Sequence, residues 1–593
     1  MMHPCAPDVP SPPRVAAKAL ETAMNRKTFH PMTRAARTSL GLAIVPLILP
    51  LILVGACQSK DSKAVSTLDA QGDAQSDAVV APTDASATSD GLPTSLPPLT
   101  ERGWELRRSV VHIHSAFSHD ACDNWITDHP GDVNQDCLAQ LRTALCNSGL
   151  DVAFMTDHPA RMLDHTFEEL LFIHKDLGDT PVGPAGAPTA NIIHCAATPV
   201  LPAHDLMINV GYEGTHDMAI GLHNHFDNKD LEGRSFADAD TALPDAVSTV
   251  QAIHAVGGIS LNAHSEETDI SAQRLVDVGV DAMEIYNIHA NFLTLMGMTG
   301  SGGTPKLGRL LQLEAFLGDP ATAPHSDLVL LAMLDIEPEA AFAKFQQVNA
   351  LRPVTAVVGN DVHQNVKPDK YCAPDGQFAG ACDGLKDQYP HLVAALTNGG
   401  PIMLSDGKRI DDYTRLLRWV SDVSLIPKQT PVQDRSEAIK TAFLTARNWA
   451  VFQLLGDPQG LDFAAWDGAK HAWVEMGGTV PLGSTLYLHF PALQPTPWAP
   501  WTLADAQIAG QVPEISANIW RIVPGATDPT LVAEKALTVA SNGATVQFKP
   551  TLPGRYHVEL RIVPKHLRTL MKGLGKLVDT EQRWAVGNPI TVK

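Results

Sequence analysis

The sequence is poor in basic residues. Its 593 residues include 44 lysines and arginines against 65 aspartates and glutamates, a formal net charge of −21 at pH 7 with histidine neutral. Nucleic-acid binding needs basic patches that replace the counterions of the phosphate backbone. This balance argues against a nucleic-acid duplex as a partner and favours a small substrate.

Two motifs of common enzyme classes are also missing. The chain contains neither a Gly-x-Ser-x-Gly nucleophile elbow nor a Gly-x4-Gly-Lys-[Ser/Thr] phosphate loop. The first motif exposes a serine nucleophile, and the second wraps backbone amides around nucleotide phosphates. Covalent serine catalysis and P-loop chemistry therefore have no support in the sequence.

The apolar run near the start, from Leu40 to Ala56, is too short for an ordinary membrane span and contains Pro46 and Pro50. Basic residues before it and small residues directly before Cys57 are typical of a secretory signal. The segment resembles the lipobox of bacterial lipoproteins. The resemblance implies that residues 1–57 are a signal peptide and that lipidated Cys57 anchors an exported protein in the cell envelope, at the outer membrane or the periplasmic face. An uncleaved membrane anchor is the alternative.

The remaining chain divides by composition. Residues 58–100 are rich in Ser, Ala, Asp, Thr and Pro and have almost no large apolar side chain, which predicts a disordered tether. Residues 101–427 and 428–593 are predicted to form two folded domains. The second shows short alternating runs separated by turn residues, which indicates a β-sandwich.

Cysteine is scarce, with six residues beyond Cys57. An even number in an exported protein predicts disulfides, although six cysteines allow 15 pairings. Cys372 and Cys382 are the nearest plausible pair, and metal ligation by cysteines is the alternative.

Histidine, by contrast, is abundant: 24 histidines outnumber 17 phenylalanines. Residues 105–425 alternate β-rich runs with helical stretches, which predicts an α/β fold with a parallel sheet or barrel. The site of such folds lies at the carboxyl ends of the strands. Four of the predicted strands run directly into histidines.

The first such strand end carries His112 and His114, two residues apart and therefore expected on one face. Asp120 follows on the next loop as an oxygen ligand. The second strand ends in Thr156-Asp157-His158, where we interpret Asp157 as orienting His158, with a helix N-cap as the alternative.

The third strand runs into His264, and the fourth ends with Asp361 and His363. A satisfied buried histidine would explain any one of these motifs, but four in order indicate a metal site. Mixed imidazole and carboxylate ligands suit Zn, Mn or Fe.

In their order, His-x-His with a following Asp, Thr-Asp-His, the Gly-Gly strand ending in Ala-His and Gly-Asn-Asp-x-His resemble the PHP (polymerase and histidinol phosphatase) superfamily. The resemblance covers about residues 105–425 and implies a distorted (βα)7 TIM-like barrel with two or three divalent metal ions and phosphoesterase activity. The implied ligands are His112, His114, Asp120, His158, His264, Asp361 and His363. Asp120, His158 and His363 are also predicted to be catalytic.

The chain departs from the family pattern in one place. Gly211-Tyr212-Glu213 is the best match for the Gly-x-Glu whose carboxylate bridges two metals, so Glu213 completes the implied ligand set. Met218 stands where the family often has a histidine, and His216, His223 or His225 are the possible substitutes. Glu284 lies on the strand after the third histidine motif and is interpreted as an outer or structural residue.

Phosphate chemistry also needs cationic donors near the metals. The candidates are Arg161, just after the second motif, and Lys367 and Lys370, just after the fourth. The sequence thus predicts a metal-dependent phosphoesterase acting on a small phosphomonoester or phosphodiester through metal-activated water. Hydrolysis of a C–N or carboxyl ester bond, and a non-catalytic binding lipoprotein, are the alternatives.

Near the carboxyl terminus, Lys565–Leu577 has apolar residues at helical spacing with basic residues between them. A basic amphipathic helix on a membrane surface and a helix packed on its own domain are both consistent with this pattern.

Overall fold

The structure, a computed structural model, describes residues 92–593. Within this range it leaves out residues 215, 226–240, 267–269, 296–310, 334–338, 368–369, 371, 377–378, 529–530, 541–543 and 572–573. The predicted signal, Cys57 and most of the tether therefore lie outside the described residues. Of the two compact units of the chain, the second, Ser66–Lys593, contains everything described below. Within the described residues, no helix has the length and apolar character needed to cross a membrane.

A closed ring of strands forms the first half of the described chain. The strands up to residue 362 are β1 (Trp104–Ile113), β2 (Val152–Met155), β3 (Thr180–Val182), β4 (Ala190–Cys195), β5 (His204–Glu213), β6 (Asp217–Leu222), β7 (Ile259–Asn262), β8 (Ala282–Asn287) and β9 (Thr355–Val362). Seven of them pair in the order β1-β2-β5-β6-β7-β8-β9, and β9 pairs with β1 to close the barrel. The predicted α/β barrel is thus confirmed as a closed seven-stranded ring.

One strand of the ring runs the other way. Strand β6 is antiparallel to both β5 and β7, whereas the other neighbours in the ring are parallel. Only three residues, Gly214–His216, connect β5 to β6, too few for a crossover helix. The ring is therefore not a strict repeat of βα units, and the start of β6 lies at the same end as the carboxyl ends of the other six strands.

Helices connect most of the parallel strands. Those of seven or more residues are α1 (Gln135–Cys146), α2 (Leu243–Ala255), α3 (Ala272–Val278), α4 (Ile288–Leu295), α5 (Glu339–Leu351), α6 (Ala379–Leu385), α7 (Pro390–Asn398) and α8 (Arg435–Leu444). Shorter ones are Trp125–Asp128, Pro159–Met162, Phe167–Leu170, Glu314–Leu317, Val329–Met333, Tyr413–Leu417 and Gly575–Val578. Side-chain caps fix local starts: Asn134 accepts from the Cys137 amide before α1, and Ser271 accepts from Arg274 before α3.

The inner side of the barrel is apolar. One buried cluster takes side chains from every ring strand, among them Val111, Phe154, Met218, Leu261 and Val357. Helix α8 adds Ile439 and Phe443 to the same cluster. Helix α8 therefore closes the end of the barrel opposite the carboxyl ends of the parallel strands.

The barrel sheet continues into the carboxyl-terminal part. The further strands are β10 (Ser421–Pro427), β11 (Asn448–Val451), β12 (Asp457–Gln459), β13 (Asp462–Asp467), β14 (Ala472–Glu475), β15 (Thr479–Val480), β16 (Thr485–His489), β17 (Ala492–Gln494), β18 (Glu514–Ile522), β19 (Ala533–Ala540), β20 (Thr545–Phe548), β21 (Gly554–Val563), β22 (Gln582–Gly587) and β23 (Ile590–Val592). Strand β10 pairs with β1, then β11 with β10 and β22 with β11, so hydrogen bonds run across residue 427. A separate four-stranded sheet has the order β14-β13-β16-β20. The boundary at 427/428 and the sandwich remain predictions.

Three disulfides link the six cysteines: Cys122–Cys137, Cys146–Cys195 and Cys372–Cys382. The predicted Cys372–Cys382 pair is confirmed, and the other two pairings required the fold.

The segment Lys565–Leu577 is not one helix in the described residues. It begins with a 3-10 turn, Lys565–Leu567, and a short helix starts only at Gly575. Leu567 and Met571 are fully buried, and Leu570 and Leu574 pack on the same core. Its apolar side is therefore covered by the protein itself, which supports packing on its own domain rather than a membrane surface.

Candidate metal centre

The predicted ligands meet at one end of the barrel. His112 lies at the end of β1, Glu213 is the last residue of β5 and Asp361 lies at the end of β9. The others follow their strands within a few residues: His114 and Asp120 after β1, His158 after β2, His264 after β7 and His363 after β9. Six ring strands point in one direction, so segments far apart in sequence deliver their polar residues to one place.

The backbone is unusual at three of these positions. His112, His264 and Asp361 have φ values of 64°, 51° and 49°. Residues other than glycine seldom adopt this left-handed region, and each instance costs free energy. The pairing register of β1 also shifts on both sides between Val110 and Ile113. The strand ends are thus bent where their side chains turn into the centre.

The ligand atoms form two overlapping groups. His112, His114, Glu213 and Asp361 make the first, and His114, Asp120, His158 and His363 make the second; in each group the atoms lie within 4.8 Å of one another. His114 belongs to both. Each group offers the imidazole nitrogens and carboxylate oxygens that Zn, Mn and Fe bind.

Glu213 has the geometry of a bridging carboxylate. Its Oε1 lies 3.0 Å from His112 Nε2 and 2.8 Å from His264 Nε2. Its Oε2 lies 3.1 Å from His114 Nε2 and 3.5 Å from His158 Nε2. The two oxygens face different pairs of imidazoles, which supports the role implied by the family resemblance.

Two aspartates complete the contacts. Asp361 Oδ1 lies 3.3 Å from His112 Nε2 and 3.5 Å from His114 Nε2. Asp120 Oδ2 lies 3.2 Å from His158 Nε2 and 3.1 Å from His363 Nε2. Asp361 therefore serves the first group and Asp120 the second.

Hydrogen bonds on the far side of four rings orient their Nε2 atoms. His158 Nδ1 is 3.0 Å from the Glu213 carbonyl and His363 Nδ1 is 3.0 Å from the Asp361 carbonyl. His112 Nδ1 is 2.6 Å from the Glu284 carboxylate. A carbonyl or carboxylate only accepts, so each Nδ1 carries the proton, and in the neutral ring Nε2 presents a lone pair to the centre.

Ser118 performs the same task for His114. Its hydroxyl donates to Asp120 Oδ1 at 2.7 Å, so it accepts from His114 Nδ1 at 3.1 Å. One serine thereby orients an imidazole and a carboxylate of the second group.

Glu284 contacts the predicted ligands from outside the two groups. Besides His112, its carboxylate accepts from the His264 amide at 3.0 Å and from Asn287 Nδ2 at 3.2 Å. A Cβ at Gly359 would overlap Glu284 Oε1. The glycine of the fourth motif thus makes room for the carboxylate that orients the first motif.

The interpretation of Asp157 is corrected. Its carboxylate accepts from the Ser115 amide at 2.5 Å and from the Ser115 hydroxyl at 2.7 Å. Asp157 therefore fixes the turn after His114, and the Glu213 carbonyl, not Asp157, orients His158.

Opposite charges dominate the electrostatics. Burial alone would lower the pKa of His112, but Asp361, Glu213 and Glu284 outweigh it and raise that pKa well above 6.5. Burial would likewise lower the pKa of His158, but Glu213 and Asp120 outweigh it and raise that pKa to about 9. Burial would raise the pKa of Glu213, yet His112 and His158 hold it well below its ordinary value. The buried carboxylates thus require positive charge, from protons on the imidazoles or from cations.

The donor set fits divalent ions. Nε2 of His112, Nε2 of His114 and both carboxylate oxygens of Asp361 are buried and make no hydrogen bond. Buried polar atoms in folded proteins are otherwise paired. Their convergence within the two groups makes cation ligation the arrangement that satisfies them.

Sequence reasoning missed one candidate ligand. His289, in the first turn of α4, forms a third group with Asp361 and His363. Burial lowers the pKa of His289 to about 4, so its ring is neutral at pH 7. The signal was present, because His289 comes two residues after the end of β8 and is a further histidine at a strand end.

The three histidines that could replace the family ligand missing at Met218 lie in different places. His223 lies at the other end of the reversed strand β6, with Nε2 2.9 Å from Glu437 on α8. His225 lies against Phe167. The backbone of His216 is beside the third histidine motif, where its carbonyl accepts from the Ala263 amide at 3.0 Å. His223 is thereby excluded as a replacement ligand, and His216 is the one next to the centre.

Two of the three cationic candidates, Arg161 and Lys367, have acidic neighbours. Arg161 lies 3.8 Å from Asp164, and Lys367 Nζ is 3.2 Å from the Asp123 carbonyl oxygen. Lys370 is exposed. Their role in binding phosphate stays a prediction.

Comparison with known proteins adds little. A scan against protein-family models and a search of curated proteins each find no match. Among solved structures, the chain is similar to a two-domain protein from Bacteroides vulgatus containing a predicted PHP-like metal-dependent phosphoesterase, with 13% identity over 78% of this chain and 92% of the other, at a TM-score of 0.25. At this identity and TM-score the likeness establishes neither a fold nor an activity, so the PHP resemblance remains a prediction from the motifs.

Proposed function

We propose that this protein is a metal-dependent phosphoesterase that hydrolyses a small phosphomonoester or phosphodiester. The observation that supports it is the convergence of four oriented Nε2 atoms, from His112, His114, His158 and His363, on shared carboxylates. Glu213 spans both groups with its two oxygens. Adjacent divalent ions held by these residues would polarise a phosphoryl oxygen and acidify a water molecule.

The two groups of predicted ligands differ in how deeply their side chains are buried. Glu213 and His112 are almost completely buried, whereas the side chains of Asp120 and His158 are 26% and 19% exposed. The second group therefore faces the side from which an ester can approach. In the hydrolysis, the oxygen of water would bond to phosphorus as the ester P–O bond breaks, and a proton of the water would pass to the departing oxygen. A monoester would give an alcohol and phosphate, and a diester an alcohol and a phosphomonoester.

The test measures phosphate release from generic monoesters and diesters by the protein supplied with Mn²⁺ or Zn²⁺. We expect the double variant His112→Ala/His114→Ala to lose both the activity and bound metal per chain. His223→Ala, at the opposite end of the barrel, is the matched control and should retain both. Equal activity in the double variant and the parent protein would refute the proposal, and turnover of amides or lactones instead of phosphoesters would favour the C–N or ester hydrolase.

We also propose that the protein is exported and anchored to the cell envelope by lipid on Cys57. Three disulfides are typical of an oxidising compartment. In a bacterial host, Cys57→Ser should move the full-length protein from the membrane fraction to the soluble fraction and abolish incorporation of labelled fatty acid. Unchanged fractionation and labelling would contradict the proposal.

A further inference from the structure

Asp120 is a predicted ligand whose position depends on a loop. Its side chain is 26% exposed, and its carboxylate lies 3.2 Å from His158 Nε2 and 3.1 Å from His363 Nε2. It follows β1 only after several loop residues, so no strand fixes its direction. The place of this carboxylate in the second group therefore depends on how the loop itself is held.

The loop turns sharply two residues after Asp120. Cys122, Asp123 and Asn124 have φ values of 53°, 61° and 64°. Three consecutive left-handed residues, none of them glycine, cost free energy, and such a turn persists only where its surroundings impose it. The contacts of the turn show what imposes it.

A disulfide provides the first restraint. It joins Cys122 to Cys137 in the first turn of α1, and both cysteines are at most 5% exposed. The Cys122 amide also donates to the His363 carbonyl at 2.9 Å. The turn is thus tied to a helix by a covalent bond and lies against the fourth histidine motif.

An ion pair provides the second restraint. Arg409 Nη1 and Nη2 lie 2.7 and 3.0 Å from the two carboxylate oxygens of Asp123. Arg409 is itself held by Asp411, whose Oδ1 accepts from the Arg409 Nε at 2.9 Å. A bidentate pair fixes direction as well as distance. The middle residue of the turn is therefore clamped through its side chain.

We infer that the Cys122–Cys137 disulfide and the Arg409–Asp123 pair are positioning elements of the metal centre, which hold the turn in the conformation that lets Asp120 bind an ion of the second group. The inference rests on the metal binding of the proposed function. The first group does not include Asp120, so its affinity for an ion should not depend on this turn.

The experiment titrates the metal-free protein with Zn²⁺ in a calorimeter, which gives the number of bound ions and their affinities. Cys122→Ser/Cys137→Ser should bind one ion about 10–100-fold more weakly, the usual effect of losing a residue that orients a ligand. Cys146→Ser/Cys195→Ser removes the disulfide at the other end of α1 and is the matched control. It should leave every zinc affinity unchanged.

The two disulfides also separate positioning from stability. A disulfide stabilises a fold mainly by restricting the unfolded chain, and more so when it closes a longer loop. Cys146 and Cys195 are 49 residues apart, whereas Cys122 and Cys137 are 15 apart. The control variant should therefore lower the Tm of the metal-free protein at least as much, while only Cys122→Ser/Cys137→Ser loses zinc affinity.

A double-mutant cycle tests whether the disulfide acts through Asp120. Asp120→Asn alone should weaken binding of the same ion. Combining it with Cys122→Ser/Cys137→Ser should add little to the stronger of the two separate effects, because both changes remove one interaction. Combining it with Cys146→Ser/Cys195→Ser should give the effect of Asp120→Asn alone.

Asp123→Ala tests the ion pair in a protein that keeps all three disulfides. It should weaken binding of the same ion about tenfold. Glu534→Ala, which removes the partner of Arg521 on strand β19, is the control and should have no effect. These two variants decide the question if Cys122→Ser/Cys137→Ser does not fold.

The outcomes separate this inference from the proposed function. Equal zinc affinities in Cys122→Ser/Cys137→Ser and its control would overturn the inference and leave the metal centre standing. Full additivity with Asp120→Asn, or an unchanged affinity in Asp123→Ala, would overturn it as well. A parent protein that binds no Zn²⁺ would overturn the proposed function and the inference together.

Discussion

The two ends of the seven-stranded barrel treat buried polar groups in opposite ways. At the end closed by α8, Lys440 Nζ donates to the carbonyls of Gly221 and Gly257 at 2.8 and 2.7 Å and lies 2.7 Å from Glu437. At the other end, Nε2 of His112, Nε2 of His114 and both carboxylate oxygens of Asp361 are buried and make no hydrogen bond. Folding alone explains the first end. The carboxylates of the second end need positive charge, from imidazole protons or from cations, which makes it the candidate functional end.

Backbone conformation follows the same division. His112, His264 and Asp361 adopt left-handed φ values at the ligand end. At the closed end, the left-handed positions of β6 and the turn before β7 are glycines, Gly221 and Gly257. Glycine adopts this region without a Cβ penalty, whereas the three residues at the ligand end carry that conformational cost.

The sharpest test of this contrast is the same substitution at each end. Glu213→Gln removes the charge that faces four imidazoles. We expect the variant to lose at least one metal ion per chain and its activity to fall by more than about 100-fold. That loss exceeds the roughly 10–100-fold effect of removing a residue that only orients a ligand. Glu437→Gln, beside Lys440, should change neither. Metal content and phosphate release measure both, and equal effects would show that the two ends do not differ in function.

The second prediction concerns Gly359, which leaves room for the Glu284 carboxylate. Gly359→Ala places a Cβ against Glu284 Oε1 and should displace the carboxylate that orients His112. We expect metal affinity to fall about 10–100-fold. Gly384→Ala, where a Cβ meets nothing within 4 Å, is the control. Unchanged affinity in Gly359→Ala would show that Glu284 is not needed for orientation.

At the closed end the effect should be on stability instead. Lys440→Met leaves the buried carbonyl of Gly221 and the partly buried carbonyl of Gly257 without this donor, so the free energy of unfolding should fall by about 1–3 kcal/mol. Bound metal per folded chain should stay unchanged. Urea unfolding of the metal-free protein measures the first quantity, and a loss of metal from the folded variant would contradict the separation of roles.

The smallest expected effect is a pH dependence. The raised pKa of His158 stabilises the metal-free fold fully below the ordinary value of 6.5, and this contribution is lost as the pH rises through about 9. Ligation needs the neutral ring, so metal and proton compete. The increase in Tm on adding Zn²⁺ should therefore grow from pH 6.5 to pH 9, and the growth should shrink in His158→Gln. A metal effect that is constant with pH would count against ligation by this histidine.

Much of the centre could be predicted because its signals are local. His112, His114, His158, His264, Asp361 and His363 each follow an apolar run within a few residues, and parallel strands bring such ends together. Glu213 was proposed from the Gly-x-Glu pattern of the PHP resemblance and Glu284 from its strand. Glu213 lies 3.0 Å from His112 Nε2, and Glu284 lies 2.6 Å from His112 Nδ1. His289 has the same signal, since it lies two residues after the end of β8, but no other residue of a recognised motif accompanies it there.

Other features depend on contacts that no local pattern contains. Asp157 was assigned to His158 because they are adjacent in sequence, yet it binds Ser115, 42 residues away. Two of the three disulfide pairings and the closure of the barrel by α8 are likewise long-range. So is the reversal of β6, which places His216 beside the centre and His223 at the opposite end.

The sequence by itself determined most of the candidate ligands, because strand ends, spacing and residue type are properties of near neighbours. Only the tertiary structure decided how those residues act together. The orienting bond between His112 and Glu284 joins positions 172 residues apart, and the bridging geometry of Glu213 exists only when β5 closes the ring with its neighbours. The physical reason is that hydrogen bonds and packing between distant segments, rather than local propensity, set the direction of each ligand atom.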